Sequence, residues 1–292
     1  MAKFRKSKGV FTQDYYSIDP KSLGQLANLK TKIETARSKD VILNTKFLRP
    51  YCVAYLDQTL CHINTIKKTS IYSEAPGANQ YLQQCYFPFL SQSAGFCSPF
   101  PQEDIIQLRR FTDRLLIDTE IKDWFESIVK RFVPNSSARL RKEIVQSLSE
   151  IVNNSFIHGD SKFGLSCCGQ YYPQKKYFEI AFYDSGYGLA NRVIEFNPYP
   201  GKALLDSECI EWAMQRGNST LRDPEAGLGL YLLRQFVRIT RGAFQIIAGN
   251  GFFGDMDEET DKKLTISNSI DGTLVNIRIN IFDNVSYKLK GE

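Results

Sequence analysis

The chain has 292 residues, 42% of them hydrophobic and 24% charged, with a formal net charge of +5. That is globular composition with enough chain to bury a core, and at about 100–200 residues per domain it suggests two domains. No run approaches the ~18 apolar residues of a membrane span, the start MAKFRKSKGVFTQDYY does not read as a signal peptide, and seven cysteines without CxxC spacing favour neither a zinc site nor a disulfide framework. A cytoplasmic protein is therefore expected. Lys3, Arg5, Lys6 and Lys8 read as a solvated basic terminus, and with no RNA-binding or helix-turn-helix signature beside them a nucleic-acid partner is not expected.

Residues 22–38 carry Leu23, Leu26, Leu29 and Ile33 at helical spacing. The apolar run at 40–44 reads as a buried strand, and residues 49–66 return to helical spacing with Tyr51, Val53, Leu56, Leu60 and Ile63. Helix, strand, helix suggests a small α/β unit over residues 1–100. Residues 67–98 show no clear period, and the two prolines of the SPFP stretch at 98–101 read as a linker. After it, 103–116 reads as an amphipathic helix, and Thr119 is placed to cap the next one, which Pro134 ends. Ser136 or Ser137 then caps a long helix through Ile157, with Gly159 as its terminating residue. Strands are expected at 163–171, 177–184, 243–249, 263–268 and 273–282, and helices at 203–215 and 229–240. The fold class is α+β, one mixed sheet covered on one face by helices over residues 101–292.

Four patterns carry chemistry. In EIVNNSFIHG (150–159), Glu150, Asn154 and His158 recur every fourth residue, so all three share one helix face. Asn offers Mg²⁺ a neutral oxygen, and Glu can orient or deprotonate water. The plainer reading is a solvated polar face, and His158 reads as a packing or hydrogen-bonding residue of the helix end. In DSGYG (184–188), after the apolar strand FEIAFY, Asp184 stands at a strand end, where a carboxylate can accept a hydrogen bond from an exocyclic amine. In EAGLGLYLL (225–233), Gly227 and Gly229 precede an apolar helix whose amino terminus suits phosphate, although there is no Walker A or GxGxxG pattern. In DGTLVNI (271–277), Thr273 puts a hydroxyl at a strand start. Singly, each pattern also suits an ordinary turn or helix entry.

Together and in this order, the four resemble the N, G1 and G2 boxes and the closing strand of the GHKL ATPases (gyrase, Hsp90, histidine kinase, MutL), over about residues 136–283. The resemblance implies a Bergerat-type α/β sandwich with ATP and Mg²⁺ as its ligands. It implies Glu150 as general base, Asn154 as metal ligand and Asp184 as acceptor of the adenine amine. It implies Gly186 and Gly188 at the base pocket, Gly227 and Gly229 as phosphate-cradling glycines, and Thr273 near the adenine. It also implies a mobile lid over 189–226, in which Arg216 reads as solvent-facing beside a polar stretch that includes Ser219 and Thr220. The G2 box is short, with no extra glycine or threonine ahead of Gly227.

His62 lacks the acidic neighbour of a phospho-accepting histidine, and the chain ends soon after its last strand, where gyrase, MutL and Hsp90 members continue. The compact form is closer to the anti-sigma-factor serine kinases, with a STAS-like unit at 40–66. The expected function is a Mg²⁺-dependent, ATP-driven regulatory switch or ATPase. The alternatives are a serine/threonine protein kinase of the anti-sigma type and a non-catalytic interaction module. A regulatory protein partner is expected, a membrane is not, and a homodimer is left open.

Overall fold

A computed structural model describes residues 20–43, 45, 47–95, 103–112, 117–220, 227, 229–255, 261–282 and 286–287. The basic terminus, the 98–101 linker, residues 221–226 and Leu228 lie outside them.

The chain begins with helix α1 (Pro20–Thr35), strand β1 (Asp40–Leu43), helix α2 (Pro50–Asn64), strand β2 (Ser70–Ser73) and helix α3 (Pro76–Gln84). β1 and β2 pair in parallel, so β1–α2–β2 is a crossover unit, and β2 and α3 fill much of the stretch without a clear period. Strand β3 (Ile105–Phe111), helix α4 (Ile117–Phe132), helix α5 (Ala138–Asn154), strand β4 (Leu165–Tyr172) and strand β5 (Tyr177–Asp184) follow. The last elements are helix α6 (Leu189–Phe196), helix α7 (Asp206–Ala213), helix α8 (Gly229–Ile239), strand β6 (Ala243–Asp255) and strand β7 (Asp261–Asn280).

The α+β class stands, and the expectation of a mixed main sheet is corrected. The main sheet has five strands in the order β3-β4-β5-β7-β6, every neighbouring pair antiparallel. Among the named strands only β1 and β2 pair in parallel, joined by α2, while β5 and β6 run in the same direction on either side of β7 with α6, α7 and α8 between them in the chain.

The 103–116 segment is also corrected, from helix to the edge strand β3 over its described part, with residues 113–116 outside the described residues. Its register slips between Ile106 and Arg109, so Ile105 and Leu108 face one side of the sheet while Ile106 and Phe111 face the other. The slip breaks strict alternation and leaves apolar residues at a spacing that imitates a helix, while pairing with β4 decides the outcome. The segments expected at 263–268 and 273–282 are one strand, because Asp271-Gly272 with φ +71 at the glycine is an irregularity within β7 rather than a turn that ends it.

Both faces of the sheet are covered, where helices on one face were expected. Phe178, Ile180 and Phe182 of β5 pack with α4, α5 and α8, whereas Ala181 and Tyr183 pack with α1 and α2. The alternation of a strand sends successive side chains to opposite layers. It also separates Cys167 from Cys168, which belong to different cores. Six described cysteines are free and buried. α2 is buried around nearly its whole circumference, as expected of a helix between a sheet and other elements. Among the described residues no helix is long and apolar enough to cross a membrane.

Candidate functional site

The site is assembled on α5. Ser137 caps it, its hydroxyl oxygen accepting the N–H of Leu140 at 3.1 Å. Leu140, Ile144, Leu148, Ile151 and Val152 are buried against the sheet. That fixes the rotation of the helix and turns Glu150 and Asn154, one turn apart, toward a cavity of about 320 Å³. After Asn154 the helix widens into a π turn, Ser155–Gly159, and stops at Asp160 in the left-handed conformation with φ 48. The terminating left-handed residue is thus Asp160, not Gly159 as the sequence suggested. Asp shares with Asn the ability to hold that conformation through local hydrogen bonds.

The second wall comes from the sheet. Asp184 ends β5 directly opposite Thr273 of β7, and both line the cavity. Asp184 Oδ1 accepts the Gly186 N–H at 3.1 Å, and Thr273 Oγ1 accepts the Leu189 N–H at 2.9 Å, holding the start of α6. The end of α5 and the DSG turn cross in contact. A Cβ on Gly186 would sit 1.8 Å from the Gly159 carbonyl oxygen, and the Tyr187 N–H donates to that same oxygen. Gly188 is backed by Gly272, whose carbonyl oxygen lies 2.8 Å from where a Cβ would be.

The third wall is the start of α8. The Gly229 N–H donates to Glu150 Oε1 at 3.3 Å, and a Cβ on Gly229 would overlap that carboxylate. Gly227 lines the cavity and is held by its carbonyl, which accepts the Gly217 N–H at 3.1 Å. Of the motif residues, Glu150, Asn154, Asp184, Gly227 and Thr273 border the cavity, while Gly186, Gly188 and Gly229 permit the close approaches that shape it.

Leu165, Phe182, Val193, Ile246 and Val275 give the cavity an apolar floor, and Asn153, His158, Asn218, Ser219 and Thr220 a polar rim. His158 Nδ1 lies 3.4 Å from Thr220 Oγ1, so the histidine ties the end of α5 to the polar stretch before Gly227. Arg216 is exposed and stands outside the lining. Arg192 is a lining residue that sequence reasoning missed. Its Nε donates to the His158 carbonyl at 2.7 Å and its guanidinium lies 4.6 Å from the centre of the Tyr187 ring. The only signal was an arginine four residues after the second glycine of DSGYG.

Burial dominates the electrostatics. It pushes the Asp184 carboxyl up to about 7, against the opposing Gly186 N–H. It raises Glu150, which the Gly229 N–H partly offsets. It lowers His158, with the Arg192 charge acting in the same direction. Two carboxyls that hold protons above their usual range and line one cavity mark a candidate functional site. Among the described residues no group of three or more His, Cys, Asp or Glu side chains is placed to hold a metal ion by itself. Asn154 brings one neutral amide oxygen to the cavity, a hard donor of the kind Mg²⁺ takes while keeping several waters.

No protein-family model matches the sequence, and no curated protein is significantly similar to it.

Proposed function

We propose that the chain binds Mg²⁺-ATP in this cavity and acts as a nucleotide-driven regulatory switch or ATPase of the GHKL type, its sheet and helical layer forming a Bergerat-type fold. One observation carries the reading. Glu150, Asn154, Asp184, Gly227 and Thr273, dispersed over more than a hundred residues of sequence, border a single cavity with an apolar floor. In this reading the ionised Asp184 carboxylate accepts the adenine amine, and the Thr273 hydroxyl stands beside it. The apolar floor takes the face of the base. The amino terminus of α8, whose Gly229 N–H is held by Glu150, borders the phosphate end, where the helix dipole favours negative charge. Asn154 presents its amide oxygen to the cation, which when bound neutralises phosphate charge. Glu150, kept in a proton-accepting range by burial, takes the proton of the attacking water.

The division of roles is tested by two substitutions in the full chain. Asn154→Ala should remove most of the Mg²⁺-dependent part of ATP affinity. Glu150→Gln keeps an acceptor for the Gly229 N–H, so ATP should still bind while turnover falls by roughly 10²–10⁴. Calorimetric titration and phosphate release separate the two. Wild-type protein that binds no ATP would falsify the reading, and two variants that behave alike in both assays would remove the division of roles.

A further inference from the structure

Helix α2 carries Asp57 and Gln58, consecutive polar residues in mid-helix that are both 0% exposed. Fully buried polar side chains are costly unless every group is paired. Here they are paired in a chain of one direction. Arg110 donates Nε and Nη2 to the Asp57 carboxylate, at 2.9 and 2.6 Å. The Ser166 hydroxyl donates its one proton to Asp57 at 2.6 Å and accepts from Gln58 Nε2 at 2.8 Å. Gln58 Nε2 also approaches the Phe163 carbonyl at 3.3 Å. Gln58 Oε1 accepts the Ser185 hydroxyl at 2.9 Å. That hydroxyl has then used its proton, so His62 Nε2, 2.9 Å away, is the donor of their contact. Each member is oriented by the next, from the ion pair at Arg110 to His62.

Ser185 is the residue after Asp184. Because strand side chains alternate, Asp184 faces the cavity while Ser185 faces α2. The same layer holds the Asp271-Gly272 irregularity of β7, opposite it. The Tyr183 hydroxyl donates to the Asp271 carbonyl at 2.8 Å, the Tyr55 ring packs on Tyr183 at 4.9 Å, and Lys30 of α1 pairs with the Asp271 carboxylate. Both turns at the Asp184–Thr273 end of the cavity are thus gripped from behind by the amino-terminal helices.

We propose that Gln58 is a positioning residue for the nucleotide site: through Ser185 it fixes the Asp184–Gly186 turn, so that α2 sets the affinity for the base. This rests on Asp184 receiving the adenine amine. Gln58→Met keeps length and volume and removes every polar contact of Gln58, and Ser185→Ala removes the link from its other end, together with the His62 contact. Affinities of the full chain for Mg²⁺-ATP and for Mg²⁺-pyrophosphate, which lacks the base, are measured by calorimetry together with thermal unfolding. Each variant should bind ATP about tenfold more weakly and pyrophosphate as wild type does, and the double variant should be no worse than the poorer single one, because both remove the same bond. A folded variant with unchanged ATP affinity, or one that loses ATP and pyrophosphate equally, overturns the proposal. Should Gln58→Met fail to fold, Ser185→Ala carries the same comparison. Wild-type protein that binds pyrophosphate and not ATP sinks the base-recognition reading and this inference with it, whereas wild-type ATP binding that Ser185→Ala leaves intact sinks this inference alone.

Discussion

Asp184 is 4% exposed, and burial pushes its carboxyl up to about 7, far above its range in an unfolded chain. The native protein therefore keeps a proton that the unfolded chain releases near pH 4. The stability this group contributes is full below about pH 4 and is lost as the pH rises through about 7. Ligand binding has the opposite sign, because an amine donor on the ligand favours the ionised carboxylate. ATP affinity, measured relative to pyrophosphate so that phosphate titration cancels, should therefore rise from pH 6 to pH 8, by at most about tenfold per pH unit below the carboxyl's own range. Asp184→Asn should flatten that rise and weaken ATP binding by roughly tenfold to a hundredfold, the loss of a hydrogen bond to a charged group. A variant that keeps the wild-type pH profile would assign the titration to another group. The residues lining the cavity were legible where a short-range rule applied. Spacing by four turned Glu150 and Asn154 to one side, and a strand end exposed Asp184. Gln58 and Arg192 were not legible, because their partners Ser185 and His158 lie 127 and 34 residues away in the chain and nothing local announces a long-range hydrogen bond.

At the scale of elements, the long helix before the cavity and the strands after it were legible from periodicity and caps, while the edge strand β3 was hidden by its register slip. The stretch 189–226 was expected to hold one helix-like segment and no continuous core pattern. Its described part instead carries two helices, α6 and α7, whose Ala190, Val193, Cys209 and Ile210 are buried in the main core. Helix α7 is the segment expected at 203–215, whereas α6, an eight-residue helix, shows too few turns for a pattern to stand out beside the prolines and glycines that follow it. Anchored helices of this kind are expected to stay in place when nucleotide binds. The Asn218–Thr220 stretch differs: it borders the cavity, follows the exposed residues 215–217, and is tied to Gly227 through the Gly217 N–H. In hydrogen–deuterium exchange, a non-hydrolysable ATP analogue should slow exchange at 215–220 and at the start of α8, while the interiors of α6 and α7 are slow with and without it. Equal slowing across 189–213 would restore a lid that moves as a whole.

At the scale of the molecule, the described amino-terminal elements α1 to α3 belong to the second layer of the sheet. Leu29, Val53, Tyr55 and Leu56 share one buried cluster with Cys168, Tyr183, Ile247 and Leu274 of the sheet. A charged clasp crosses the same interface. Arg49, at the start of α2, places Nε 3.1 Å from Glu179 Oε2 and donates Nη2 to the Tyr177 hydroxyl at 2.8 Å, while Asn276 donates to Glu179 Oε1 at 3.0 Å. Both charges are nearly inaccessible, so removing either partner leaves a buried charge uncompensated, a loss of about 3–5 kcal/mol. These contacts predict the behaviour of a fragment spanning 103–292. It would retain every motif residue of the cavity, yet expose the apolar sheet face of β5, β6 and β7 and strip Glu179 of its guanidinium. Ser185 would lose Gln58 and His62, and Asp271 would lose Lys30, so both turns behind Asp184 and Thr273 would be released. The fragment should bind a hydrophobic dye, lose a cooperative thermal transition, and bind ATP far more weakly than the full chain. Adding residues 1–102 as a separate chain should restore part of the affinity if the layer docks as a unit. A fragment that unfolds cooperatively and binds ATP as tightly as the full chain would show that the cavity stands on the helical layer alone, with the amino-terminal elements merely resting on the sheet.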